Sequence, residues 1–108
     1  KDSITYDAFT GMDLRVGTVL AAERVPKTGK LMKLTIDTGL DTRTVVSGIA
    51  EHYSPEEVIG RQVCLLANLQ PRTLKGIESQ GMILAADSGD KLVLATLDDS
   101  IDSGAKVN

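Results

Sequence analysis

Apolar residues fall at every second position from Leu31 to Thr38, with Met32, Leu34 and Ile36 on one side and Lys33, Thr35 and Asp37 on the other. A period of two predicts a strand with one face buried and one in water. Upstream, Leu14 to Val25 is a longer run rich in valine, leucine and alanine, and Gly17 inside it predicts a bent or bulged strand. Pro26-Lys27-Thr28-Gly29-Lys30 separates the two as a turn. After a second turn at Gly39 to Thr42, Arg43 to Ser47 reads as a third strand ended by Gly48. Ser54-Pro55-Glu56-Glu57 is a helix start, with a serine N-cap, proline in the first turn and acids beside it, and Gly60 stops the helix early. Val63 to Ala67 and Met82 to Ala86 are short apolar runs of the length of buried strands. At the start, Ile4 to Thr10 predicts a short helix capped by Ser3 or Thr5, with Tyr6 and Phe9 spaced by three. At the end, Lys91 to Leu97 is a last strand-like run and Asp98 to Lys106 reads as polar turns.

Three strands, a short helix and two more strands is the order of the OB-fold. That five-stranded barrel binds oligonucleotides on its second and third strands and on the loops joining strands one to two and four to five. The expected fold is therefore all-β: a five-stranded OB-fold barrel, one short helix between strands 3 and 4, and a C-terminal extension. One domain spans residues 1–108, with an N-terminal segment over 1–12, the barrel over 13–86 and the extension over 87–108. The loop between strands four and five, Asn68 to Gly81, is long, and Leu69, Leu74, Ile77, Pro71 and two glycines mark it as shaped rather than disordered.

At 108 residues and 11.5 kDa there is no room for a second core. Net charge is −3, which alone argues against a nucleic-acid binder, but the charge is unevenly spread. Arg24, Lys27, Lys30, Lys33, Arg43, Arg61, Arg72 and Lys75 outnumber Asp37, Asp41, Glu51, Glu56 and Glu57 in the middle of the chain, and acids dominate from Asp87 onward. Local potential steers a polyanion more than net charge does. Both loops that an OB-fold uses for binding carry lysine or arginine. The lone Cys64 sits in an apolar run as a small core residue and fits a reducing, cytoplasmic setting. No apolar stretch approaches the roughly 20 residues of a membrane span, so no membrane association is expected. The chain opens at Lys1 without a methionine, as a piece of a longer protein would.

The chemistry on offer is that of binding. His52 is the single histidine and has no cysteine or second histidine near it in sequence, so neither a metal site nor a paired nucleophile has its partners. Ser79 lies three residues after Gly76, where a nucleophile elbow needs two. No Gly-Lys-Ser/Thr phosphate loop occurs. No catalytic residue, metal or cofactor is expected. Asn68, Ser79 and Gln80 supply hydrogen-bonding groups, Arg72 and Lys75 charge, and Met82 a soft apolar contact.

Asp13-Leu14-Arg15-Val16-Gly17, Gly29-Lys30-Leu31, Val45-Val46-Ser47-Gly48-Ile49, Tyr53-Ser54-Pro55-Glu56-Glu57, Asn68-Leu69-Gln70-Pro71-Arg72 and Ser79-Gln80-Gly81-Met82 resemble, in order and spacing, the signature blocks of the tRNA-binding domain family. That domain ends many bacterial methionyl-tRNA synthetases and also occurs as free-standing tRNA-binding proteins. The resemblance covers nearly the whole chain. It departs at Thr28-Gly29, where the family commonly has Ala-Asp, and at Gln70, where it commonly has lysine.

The resemblance implies RNA contacts at Lys30, Asn68, Ser79 and Met82. The fold argument adds Lys33, Arg43, Arg72, Lys75 and Gln80. The implied function is structure-dependent, largely sequence-independent tRNA binding that assists aminoacylation, as a non-catalytic module of a methionine–tRNA ligase. The alternatives are a free-standing tRNA-binding protein and a small dimeric peptide-binding chaperone of the same fold. Aromatics are scarce and lie outside the proposed face, which argues against base stacking. Leu92, Val93, Leu94, Ala95 and Leu97 lie beyond a barrel expected to close by Ala86, and with Tyr6 and Phe9 they predict a homodimer. In the rival reading the tail folds back over its own barrel.

Overall fold

Strand β1 (Leu14–Arg24) is shared by both halves of the molecule. In the computed structural model, which describes residues 1–108, its first half pairs antiparallel with β4 (Gln62–Leu66), Leu14 opposite Leu66 through Thr18 opposite Gln62. Its second half pairs with β2 (Met32–Asp37), Thr18 opposite Asp37 through Arg24 opposite Met32. Changing partners along one strand requires a bend, and two residues make it. Gly17 lies so close to β2 that a Cβ there would stand 2.6 Å from Ile36 Cγ2. The bulge itself falls later than expected, between Val19 and Ala21, and leaves Leu20 about half exposed.

Strand β3 (Thr42–Ser47) continues the sheet beside β2, and β7 (Met82–Ile83) ends it beside β4, giving the order β3-β2-β1-β4-β7. This is a nearly closed five-stranded barrel, as the element order predicts. The alternation of β2 survives intact: Met32, Leu34 and Ile36 are fully buried, and with Val45, Val63 and Leu65 they form the centre of the core. Each such side chain is worth about 1.5–3 kcal/mol by area burial.

Helix α1 (Tyr6–Thr10) is capped by Thr5, whose Oγ1 accepts the Ala8 N–H at 3.1 Å, and it buries none of its residues. Helix α2 (Pro55–Val58) drops Val58 into the core, 1% exposed. At its start Glu57 Oε1 accepts the Ser54 N–H at 2.8 Å, which holds the Glu57 carboxyl below its ordinary pKa.

The C-terminal segment departs from expectation. Residues after β7 form a hairpin, β8 (Ala85–Asp87) against β9 (Leu92–Leu94). Leu94 is 5% exposed and belongs to the core, Leu92 packs against it, and Tyr53 Oη accepts the Leu94 N–H at 3.1 Å. The chain then runs back along β1, with the Val16 N–H donating to Ala105 O at 2.9 Å and Gly104 N–H to Val16 O at 2.7 Å. Gly39 and Gly104, both at positive φ, let this return strand touch the turn after β2. The argument that these apolar residues need a second chain to cover them therefore fails: most are covered by their own barrel, and Val93 alone among the five stays open, at 44%.

Candidate nucleic-acid interface

The segment read as the loop from Asn68 to Gly81 contains a second hairpin, β5 (Arg72–Leu74) against β6 (Ile77–Ser79). Leu74 pairs with Ile77, so Lys75 and Gly76 make a two-residue turn, both at positive φ (51° and 80°). Positive φ at both central residues is the type I′ arrangement, whose twist matches that of a hairpin. The sequence hid it because its usual mark is Asn-Gly or Asp-Gly, and a lysine stands first here.

The hairpin is fastened to the barrel by two side chains and one backbone hydrogen bond. Beyond β3 no ladder continues; instead Ser79 Oγ accepts the Val46 N–H at 2.9 Å and donates to Gly81 O at 3.2 Å. The Gln80 N–H donates to Thr44 O at 2.9 Å, and Gln80 Oε1 faces the Thr44 N–H at 3.5 Å. Lys33 is opposite Val46 in the β2–β3 ladder and Arg72 opposite Ser79 in the hairpin, and the Ser79 hydroxyl links the two pairs through the Val46 N–H.

The predicted contact residues divide by what they touch. Lys30, Arg72 and Lys75 are exposed and in no ion pair. Lys33 reaches Glu23 at 3.6 Å, a half-exposed pair that leaves it partly available. Met82 is 41% exposed on β7. Ser79 is 4% exposed, with its hydroxyl engaged as above. Asn68 is exposed but bound: its Oδ1 accepts the Asp13 N–H at 2.8 Å, and its Nδ2 donates to Gly11 O at 2.7 Å, clipping the N-terminal segment to the end of β4. Arg43 spans from Asp41, at 3.1 Å, to Ala67 O, at 2.6 Å, and braces the same end of β4. Asp41 in turn is held below the ordinary carboxylate range by the Thr38 hydroxyl first and then by Arg43. Ser79 and Gln80 thus seat the hairpin that carries Arg72 and Lys75 against β3, whose other neighbour β2 carries Lys33, while Asn68 and Arg43 brace the end of β4. Residue-by-residue reading passed over Lys27, exposed in the first loop with φ of 65°. Its signal was the preceding Pro26, which presets a turn.

Comparison with known proteins agrees with this geometry. A family model described as a putative tRNA binding domain matches residues 14–106. A methionine–tRNA ligase of Flavobacterium johnsoniae is 54% identical over the whole of this chain, which covers 15% of that ligase. The chain thus spans about a sixth of the length of such relatives. Among solved structures, a MetRS related protein from Pyrococcus horikoshii superposes with a TM-score of 0.93 at 37% identity, covering 99% of both chains. The chaperone CsaA from Bacillus anthracis superposes at 0.90 with 28% identity, over 99% of this chain and all of the other.

Proposed function

The chain belongs to the putative tRNA binding domain family, and on that premise we propose that it grips the shape and backbone of folded tRNA as a non-catalytic module of a methionine–tRNA ligase, acting in the cytoplasm. The observation that supports this reading is that the hairpin carrying Arg72 and Lys75 is anchored through Ser79 and Gln80 to β3, the neighbour of the strand that carries Lys33. Lys30, Arg72 and Lys75, free of acidic partners, are the phosphate contacts. Lys33 and Met82 lie beside them. Ser79, Gln80, Asn68 and Arg43 hold the surface in place. Phosphate contacts fix register and orientation without reading sequence, so selection of the tRNA falls to another part of a larger protein.

Titration of fluorescent tRNA across a range of salt tests this. Three or four neutralised phosphates predict a log–log slope between about −2 and −3.6, at roughly 0.7–0.9 per contact. Equal affinity for tRNA and for a random single strand of the same length would sink recognition by shape. The likeness to a chaperone favours one rival, apolar peptide binding at Met82, Leu74 and Ile77; that binding would be nearly indifferent to salt.

We also propose that the module is a homodimer. Ile4 (64% exposed), Tyr6 (76%) and Met12 (44%) leave an apolar surface around α1 that its own barrel does not cover. Two copies would present two basic faces to one tRNA, and avidity would strengthen weak single contacts. Light scattering decides: a mass that stays near 11.5 kDa as concentration rises excludes the dimer.

A further inference from the structure

Only two residues other than glycine adopt positive φ in this chain, and both are lysines, Lys27 at 65° and Lys75 at 51°. Other L-residues seldom take this conformation, glycine and asparagine excepted, and where it persists in a bulky residue it concentrates at functional positions. Lys75 already has its place at the tip of the binding hairpin. Lys27 has none.

Its turn is firmly determined. The Thr28 N–H and Oγ1 both donate to Val25 O, at 3.4 and 3.0 Å. Thr28 Oγ1 also accepts the Leu31 N–H at 3.2 Å, and the Val25 N–H donates to Leu31 O at 3.0 Å. Proline at the second position followed by positive φ at the third is a type II turn, whose third position suits glycine best. The loop contains a glycine, Gly29, two residues on, where φ is not positive and no neighbour crowds the backbone. The chain thus puts a lysine where glycine fits and a glycine where any residue would fit. What Lys27 adds is its side chain.

Beside it lies an open recess of about 360 Å³, lined by Arg24, Val25, Pro26, Lys27, Thr28 and Leu31 among others, with no acidic residue in its wall. Arg24 is fixed there by donating to Ala50 O at 2.7 Å, and neither Arg24 nor Lys27 has an ion-pair partner. The exposed wall of the recess is mostly apolar and Arg24 and Lys27 are its two cations, so an anion there would be held by those two charges.

Given the tRNA-binding reading above, on which this rests, we infer that Lys27 is a further RNA-phosphate contact, the first-loop counterpart of Lys75, and that the recess seats one phosphodiester of the bound RNA. The two strained lysines would then grip the backbone together.

The test measures unfractionated tRNA binding and thermal unfolding for Lys27→Gly, Lys27→Asn, Lys27→Arg and Lys75→Ala. Lys27→Gly should bind several-fold more weakly and flatten the salt slope by about 0.7–0.9. Its melting temperature should be unchanged or higher, because glycine accepts this φ without strain. Lys27→Asn also suits positive φ and carries no charge, so it should repeat the loss, whereas Lys27→Arg should keep affinity and slope. Wild-type affinity and slope in both Lys27→Gly and Lys27→Asn overturn the inference. Loss at Lys75→Ala alone leaves the general reading standing and removes this one; loss at neither lysine removes both.

Discussion

Replacing Ser79 with alanine separates the two roles open to this residue, RNA contact and barrel closure. Its Oγ accepts the Val46 N–H and donates to Gly81 O, and both Ser79 and Val46 are about 5% exposed. Truncation leaves that N–H in a place water does not reach, because β3 has no further strand on this side to take it over. A buried donor left unpaired costs about 1–3 kcal/mol, and a middle value of ~2 kcal/mol lowers the melting temperature of a domain this size by roughly 10 °C. Thermal unfolding followed by circular dichroism reads the shift directly. At a temperature where the variant is still folded, tRNA affinity should fall modestly, because the hairpin is less firmly held, while the salt slope stays unchanged because no charge is lost. Met82→Ala is the contrast: on an exposed side chain it should alter affinity with little effect on melting. A Ser79→Ala protein that melts within a degree or two of the wild type refutes the closure argument, and if it also loses affinity, the hydroxyl belongs to the RNA.

Two further outcomes follow from packing and charge. Gly17→Ala drives a Cβ to 2.6 Å from Ile36 Cγ2 in the core; overpacking of this kind should cost about 1–3 kcal/mol, seen as a lower urea midpoint. The Glu57 carboxyl lies below its ordinary value through the Ser54 backbone N–H first. Its contribution is therefore complete above the ordinary glutamate pKa and is lost as pH falls through the folded value; Glu57→Gln should lose less stability than the wild type between pH 6 and pH 3, and equal acid sensitivity of the two would contradict the cap.

The parts of the fold legible in the sequence are those with a local physical cause. Alternation over Met32–Ile36 can bury only one way, and Ser54-Pro55-Glu56-Glu57 combines a cap, a first-turn proline and first-turn acids. The parts that escaped depend on partners far along the chain. Gly17 looks like a bulge until Ile36 is seen beside it, and the bulge at Leu20 has no mark of its own. The apolar residues of the tail looked like surplus because nothing local says that Ala105 will pair with Val16 or that Tyr53 will meet Leu94.

The same distinction runs through the binding surface. Arg72 and Lys75 are legible as exposed, unpaired cations because a charged side chain on a loop has few partners near it in sequence. The structural roles of Asn68, Ser79 and Arg43 are not legible, because a polar side chain chosen for its chemistry fits two tasks equally well, and only the distances to Asp13, Val46 and Ala67 reveal those bonds. These residues still bear on binding. The hairpin carrying Arg72 and Lys75 reaches β3 through the Ser79 hydroxyl and the Gln80 amide and carbonyl groups, and its base is set by Asn68 and Arg43. The barrel thus holds this hairpin with a few individual hydrogen bonds, one of them backbone to backbone, instead of a continuous ladder. Residues that close the fold and residues that present charge to a polyanion thereby sit side by side in one short stretch, which is why sequence alone gives them a single role.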